Sequence, residues 1–202
     1  MFKENFEEII LFIFGKNSNV YKAFNLVVTE MCKEKGYIRK FDGSDYYTHC
    51  LSVAYYFILA RIYDQDLICA ALLHDIIEDV EGYTFDVLEK LFNTRVATIV
   101  KILSKQDNIN YKIDKNLNDY LFNISENMDA SIIKAADRLH NMLTLEGSSK
   151  EYITKKITET ENFFIPFINI CIIKCNRQDY KVLFIYFLEN IRINNQFLKN
   201  NY

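Results

Sequence analysis

The stretch Leu72-Leu73-His74-Asp75-Ile76-Ile77-Glu78-Asp79 decides how the chain is read. A histidine abuts an aspartate, and two more carboxylates follow at Glu78 and Asp79. Ala70, Ala71, Leu72, Leu73, Ile76 and Ile77 make the surrounding frame apolar and helix-forming. Four ionisable groups in six residues are costly on a helix packed into a core, because buried unpaired charge is strongly unfavourable. A bound divalent cation removes most of that cost, and imidazole beside carboxylate suits Mn²⁺, Fe²⁺ or Zn²⁺. The competing reading is an amphipathic helix that ends in solvated acids.

The rest of the composition narrows the choice. A chain of 202 residues is long enough for one domain with a sizeable core. Its residues are 50% hydrophobic and 25% charged, as in ordinary globular proteins. A net charge of −3 argues against non-specific nucleic-acid binding, which draws its affinity from basic surface. A small anionic substrate needs only a local basic pocket and stays open. Five cysteines, odd in number and without a CxxC pair, read as reduced and mostly buried thiols. Cys171 and Cys175 lie one helical turn apart, but no His or second cysteine pair stands near to complete a metal site. Glu4, Glu7 and Glu8 precede the apolar run Ile9–Phe14 where a signal peptide wants positive charge. The longest greasy run, Phe163–Ile173, is broken by Pro166 and Asn169 and is too short for a bilayer. These features predict a cytoplasmic protein with no membrane partner.

Apolar residues recur mostly at spacings of three and four, and no alternating strand pair or hairpin signal appears. The spacing predicts helices over 3–14, 20–35, 47–63, a fourth capped by Asp64 that carries the opening motif, and a fifth capped by Thr84. A sixth begins near Thr94, and others cover 116–126, 130–145, 149–164 and 179–193. Lys105–Lys115 reads as a mobile loop, and the tail Asn194–Tyr202 as frayed. The aromatic-rich stretch Phe163–Phe187 reads as core rather than as a dimer face. The expected fold is all-α, a single bundle of about nine to ten helices without internal repeats.

Only three histidines occur, His49, His74 and His140. His49 opens a helix within Tyr46-Tyr47-Thr48-His49, where a lone histidine is more often structural. His140 lies in Lys134-Ala135-Ala136-Asp137-Arg138-Leu139-His140-Asn141-Met142. There Asp137, Asn141 and Thr144 share one helical face while Leu139, Met142 and Leu143 take other directions. A polar stripe on an otherwise buried helix needs partners, and a solvated face, a metal or a substrate would each supply them.

His49, then His74-Asp75, then Asp137 resembles the H…HD…D signature of the HD phosphohydrolase superfamily. The extension to Glu78-Asp79 and the 134–142 string are similar to the hydrolase domain of the RelA/SpoT family, which removes the 3′-pyrophosphate of the alarmones (p)ppGpp. HD alone is a weak signal, whereas HDxxED and ADRLHN together are specific. The resemblance covers about 39–166 and leaves 167–202 as a helical extension of one HD domain. It implies His49, His74, Asp75 and Asp137 as ligands of a single Mn²⁺ or another divalent transition ion. It implies Glu78 and Asp79 as the acidic pair that positions or deprotonates the attacking water. It further implies Arg39 and Lys40 on the nucleotide and its phosphates, and Asn141 and Thr144 near ribose and guanine. His140 is left structural. Lys134 and Arg138 offer further positive charge, while surface charge is the plain alternative for Arg39 and Lys40.

Two features depart from the family. Leu143 stands where a basic residue is common, and the 40–49 loop lacks a frequent proline. Both bear on guanine and phosphate contacts rather than on metal binding. With no room for a following synthetase domain, a stand-alone hydrolase of guanosine tetra- or pentaphosphate is implied. The rivals are an HD hydrolase of another nucleotide, such as a 5′-nucleotidase or 2′/3′-phosphatase, and a non-catalytic module that keeps the metal as a clip.

Overall fold

The computed structural model describes residues 2–40 and 42–202. Among them the chain is helical, with a single isolated antiparallel bridge between Ile38 and Asp45 and no strand. It divides into two compact units, Met1–Ser104 and Lys105–Tyr202.

The first unit holds α1 (Phe2–Phe14), α2 (Asn19–Glu30), α3 (Tyr47–Leu59), α4 (Gln65–Leu73), α5 (Ile76–Asp79), α6 (Phe85–Leu91) and α7 (Thr94–Leu103). The second holds α8 (Asp114–Ser125), α9 (Met128–Leu143), α10 (Lys150–Glu159), α11 (Ile165–Lys174) and α12 (Gln178–Asn201). The expectation of an all-α fold is met. Counting α4 with α5 and α10 with α11 as interrupted single helices, the described residues form ten.

Short polar side chains start several of these helices by accepting the otherwise unpaired amide hydrogens of the first turn. Asp64 accepts from the amides of Asp66 and Leu67, Thr84 from Val87, Asn93 from Val96, Asn127 from Ala130 and Ser149 from Tyr152. Arg95 then closes a two-pronged pair on Asp64, at 3.0 and 2.7 Å. The core of the first unit is α4, whose residues Leu67–Leu73 are all fully buried against α2, α3 and α7. A helix apolar on every side has no face to give to water, so it takes the centre.

In the second unit the central element is α9, buried from Ala130 through Leu139. Helix α12 lies along it and buries Tyr180, Phe184, Phe187 and Ile191. Phe164, Phe167, Phe184 and Phe187 are all buried, in agreement with a core role for the aromatic-rich stretch.

Several boundaries differ from the sequence expectation. The second helix ends at Glu30, and Lys33–Lys35 form a separate 3₁₀ turn closed by Gly36 at φ +90°. Such a left-handed residue stops a helix and suits glycine. The third helix ends at Leu59 rather than Tyr63. Pro166 does not break the run from Lys150 to Lys174. Proline cannot continue an ordinary α-ladder, so the turn before it, Thr160–Phe164, widens to a π turn in which the Ile165 amide donates to the Thr160 carbonyl. The tail predicted to fray is helical to Asn201, because Leu198 and Asn195 are 1% and 2% exposed and anchor it.

That anchoring is testable. Leu198→Ala is expected to cost about 2–5 kcal/mol in urea unfolding, the range for a buried leucine. A frayed tail would leave stability within about 0.5 kcal/mol.

Candidate active site

The first unit's site begins where α4 stops. A continuous helix through Leu72–Asp79 would bury His74 and Asp75 in a ladder that leaves their side chains little choice of direction. Instead α4 ends at Leu73, His74 and Asp75 form the break, and α5 resumes at Ile76. The His74 Nδ1 donates to the Ala71 carbonyl at 2.9 Å, satisfying one of the carbonyls orphaned at the helix end. A carbonyl only accepts, so this bond fixes the proton of the neutral ring on Nδ1 and leaves the Nε2 lone pair for another partner.

That Nε2 lies 3.1 Å from Asp75 Oδ2, and His49 Nε2 lies 3.8 Å from the same oxygen. One ligand atom from each of His49, His74 and Asp75 falls within 4.8 Å of the others, the only such group of three among the described residues. His49 and His74 are each 1% exposed, and their rings meet edge to face at 5.1 Å. Two neutral imidazoles and one carboxylate form the mixed nitrogen–oxygen set preferred by divalent transition ions. The donor chemistry therefore fits the metal that the sequence implied.

Tyr46 is a member that the sequence reading passed over. Its hydroxyl donates to Asp75 Oδ2 at 2.8 Å, and its ring packs edge-on against His49 with centroids 5.7 Å apart. Burial foremost, together with the Asp75 charge, pushes the phenol far above its ordinary value and keeps it a donor. The one signal available was its place three residues before His49, one turn away on the same helical edge.

Arg39 and Lys40 part company. Arg39 is 9% exposed, with its guanidinium carbon 5.7 Å from the centre of the Tyr46 ring, while Lys40 is exposed. Arg39 is thus a buried cation, whereas Lys40 is a solvent-exposed one. The backbone around Arg39 is pinned: its amide donates to the Ser44 carbonyl at 2.8 Å, and its carbonyl accepts from Gly43 at 3.0 Å. Gly43 sits at φ +66°, the left-handed conformation that lets the loop turn back. Phe41 of this loop lies outside the described residues. Glu78 and Asp79 are exposed on α5, directly after the break, and the Asp79 carbonyl accepts from the Tyr37 hydroxyl at 2.9 Å.

The other predicted residues belong to the second unit. On α9, Asp137 is 6% exposed and pairs with Lys134 at 2.9 Å. Asn141 Nδ2 donates to Asp137 Oδ1 at 2.5 Å, and Thr144 Oγ1 donates to the His140 carbonyl at 2.9 Å. The shared face read from the sequence is thus a hydrogen-bonded one. Arg138 does not offer free positive charge. Its guanidinium donates to Thr160 Oγ1, Glu159 Oε1 and the Lys156 carbonyl, and it lies 4.0 Å over the Phe164 ring. Burial lowers its pKa from the ordinary arginine value, while Glu159 acts to keep it charged. Arg138 therefore fastens α9 to the π turn.

Comparison with known proteins adds an independent line. An HD-domain family model matches residues 26–169. SpoT of Escherichia coli K12, described as a bifunctional (p)ppGpp synthase/hydrolase, is 34% identical over 130 residues, covering 61% of this chain and 18% of that protein. A guanosine-3′,5′-bis(diphosphate) 3′-pyrophosphohydrolase of Aquifex aeolicus is 31% identical over 173 residues, 82% of this chain and 24% of its own length. The chain thus spans a quarter or less of these relatives. A solved structure, described as a metazoan ortholog of SpoT that hydrolyzes ppGpp, matches with a TM-score of 0.68 at 20% identity, over 86% of this chain and 95% of its own.

The donor set makes a prediction that needs no substrate. Chelator-stripped protein given Mn²⁺ at a hundredfold excess over its Kd is expected to gain about 2.7 kcal/mol of stability, read as a rise in melting temperature. His74→Ala should remove the rise, and a wild type that shows none would rule the site out.

Proposed function

The chain belongs to the HD-domain family, and on that premise we propose that it is a Mn²⁺-dependent hydrolase of the 3′-pyrophosphate of (p)ppGpp. The observation that carries the reading is the convergence of His49, His74 and Asp75 in one cluster of metal-ligand chemistry. Relatives named for this hydrolysis across both bacterial matches support the substrate class.

In this reading His49, His74 and Asp75 hold the ion, and the family motif assigns Asp137 as the fourth ligand. Two carboxylates and two neutral imidazoles balance the charge of a divalent cation. When bound, such an ion would lower the pKa of water toward about 7 and offset charge on the phosphate under attack. Glu78, solvent-exposed one turn beyond His74, accepts the proton of the attacking water, and Asp79 orients that water. The water oxygen bonds to phosphorus, the ribose 3′-oxygen leaves and is protonated, and the products are GDP or GTP and pyrophosphate. Arg39 meets phosphate with its planar fork, a geometry that lysine does not offer, and Lys40 adds a mobile point charge from solvent. Asn141 and Thr144 are assigned to the ribose and guanine by their place in the motif.

Release of pyrophosphate from ppGpp by metal-stripped protein, with and without Mn²⁺, tests the proposal against GTP and 3′-phosphorylated nucleotides. Turnover of ppGpp alone, dependent on Mn²⁺, is the expected result. Turnover of the controls alone would keep HD chemistry and discard the alarmone, and Mn²⁺ binding without turnover would leave a regulatory module. Asp75→Asn should abolish turnover. Glu78→Ala should retain Mn²⁺ and lose roughly 10²–10⁴-fold in rate, the usual contribution of a general base.

A further inference from the structure

We infer that Tyr46 is a positioning residue with two separable tasks: its hydroxyl orients Asp75 toward the imidazoles, and its ring carries Arg39. The inference rests on the metal and phosphate roles proposed above and goes beyond them, since it joins the two sites through one side chain.

The geometry of the first unit carries it. Asp75 Oδ2 is the oxygen nearest both histidine Nε2 atoms, and it is also the oxygen that accepts from Tyr46. The terminal torsion of an aspartate is soft and nearly two-fold, so packing alone does not choose which oxygen faces the imidazoles. A hydrogen bond at 2.8 Å makes that choice. A carboxylate oxygen has two lone pairs, so Oδ2 can accept from Tyr46 and still serve as a ligand atom beside the imidazoles.

Tyr46 is itself held from three directions. Its amide donates to the Tyr37 carbonyl at 3.1 Å, its carbonyl accepts from the His49 amide at 3.0 Å, and its ring lies against the His49 ring. Tyr37 also reaches the Asp79 carbonyl through its hydroxyl, so the loop that presents Arg39 and the helix break that presents Asp75 share one frame. On the far end, the Arg39 guanidinium sits over the Tyr46 ring face, where a cation is attracted by the ring quadrupole. A buried arginine on an aromatic face keeps its fork oriented before any phosphate arrives.

Two variants divide the tasks. Tyr46→Phe keeps the ring and removes only the hydroxyl, whereas Tyr46→Leu removes both. Calorimetric titration of the chelated proteins with Mn²⁺ is the deciding measurement. Tyr46→Phe is expected to weaken Mn²⁺ binding about 10–100-fold, as loss of a bond to a metal ligand does, with KM for ppGpp unchanged at saturating Mn²⁺. Tyr46→Leu should lose the same metal affinity and also raise KM about two- to thirtyfold, the range of a cation–π contact from exposed to desolvated. A purely structural tyrosine would lower the melting temperature of the metal-free variants and leave the Mn²⁺ affinity of Tyr46→Phe at the wild-type value, and that result overturns the inference alone. A wild type that binds no Mn²⁺ overturns the metal reading and this inference with it.

Discussion

The first unit is organised around one close contact between a buried imidazole and a carboxylate. His74 Nδ1 is engaged by the Ala71 carbonyl, and its Nε2 faces Asp75 Oδ2 at 3.1 Å. A nitrogen and a carboxylate oxygen at that distance share a proton or a cation, and burial strengthens the interaction by removing water's screening. The fold supports the arrangement at some cost. It interrupts a helix at its most apolar end, sets the buried Leu67–Leu73 segment of α4 behind the cluster, and brings a tyrosine hydroxyl to the carboxylate. Every one of these features is reasonable if a divalent ion is the intended partner.

The second unit handles buried charge by a different route. Arg138 is 5% exposed and satisfies its guanidinium with a threonine hydroxyl, a carboxylate and a main-chain carbonyl, over the face of Phe164. Glu159 feels opposing forces: burial, the largest, raises its pKa, but Arg138 and Lys156 together bring it below the ordinary carboxylate value. The carboxylate thus stays charged and the network remains complete. The π turn that admits Pro166 also supplies Thr160 to this network, which makes an irregularity of the backbone useful to packing. Such completeness matters because a half-satisfied buried network is worse than an apolar one.

The contrast between Arg39 and Lys40 shows how adjacent cations acquire different work. The Ile38–Asp45 bridge and the turn at Gly43 send alternate side chains to opposite sides of a short loop. Arg39 is delivered inward to the Tyr46 ring and Lys40 outward to solvent. A planar, weakly hydrated cation tolerates the inner position, and a strongly hydrated ammonium belongs in the outer one.

The amino-acid sequence by itself determined the helical class and most helix starts, while the grouping of His49 with His74 and Asp75 came from the family resemblance. Helical period and capping act within four residues, so spacing and residue type report them directly. The HDxxED and ADRLHN strings carried the family resemblance, and the match over residues 26–169 agrees with it. Only the tertiary structure decided that the helix breaks at His74, that Asn194–Asn201 packs as helix, that Arg138 is committed and that Tyr46 belongs to the site. Those outcomes depend on partners far along the chain: Tyr46 and Asp75 are 29 residues apart, and Arg138 and Thr160 are 22. A side chain's burial and its hydrogen-bond partner are set by which elements pack together, and local periodicity holds no record of that.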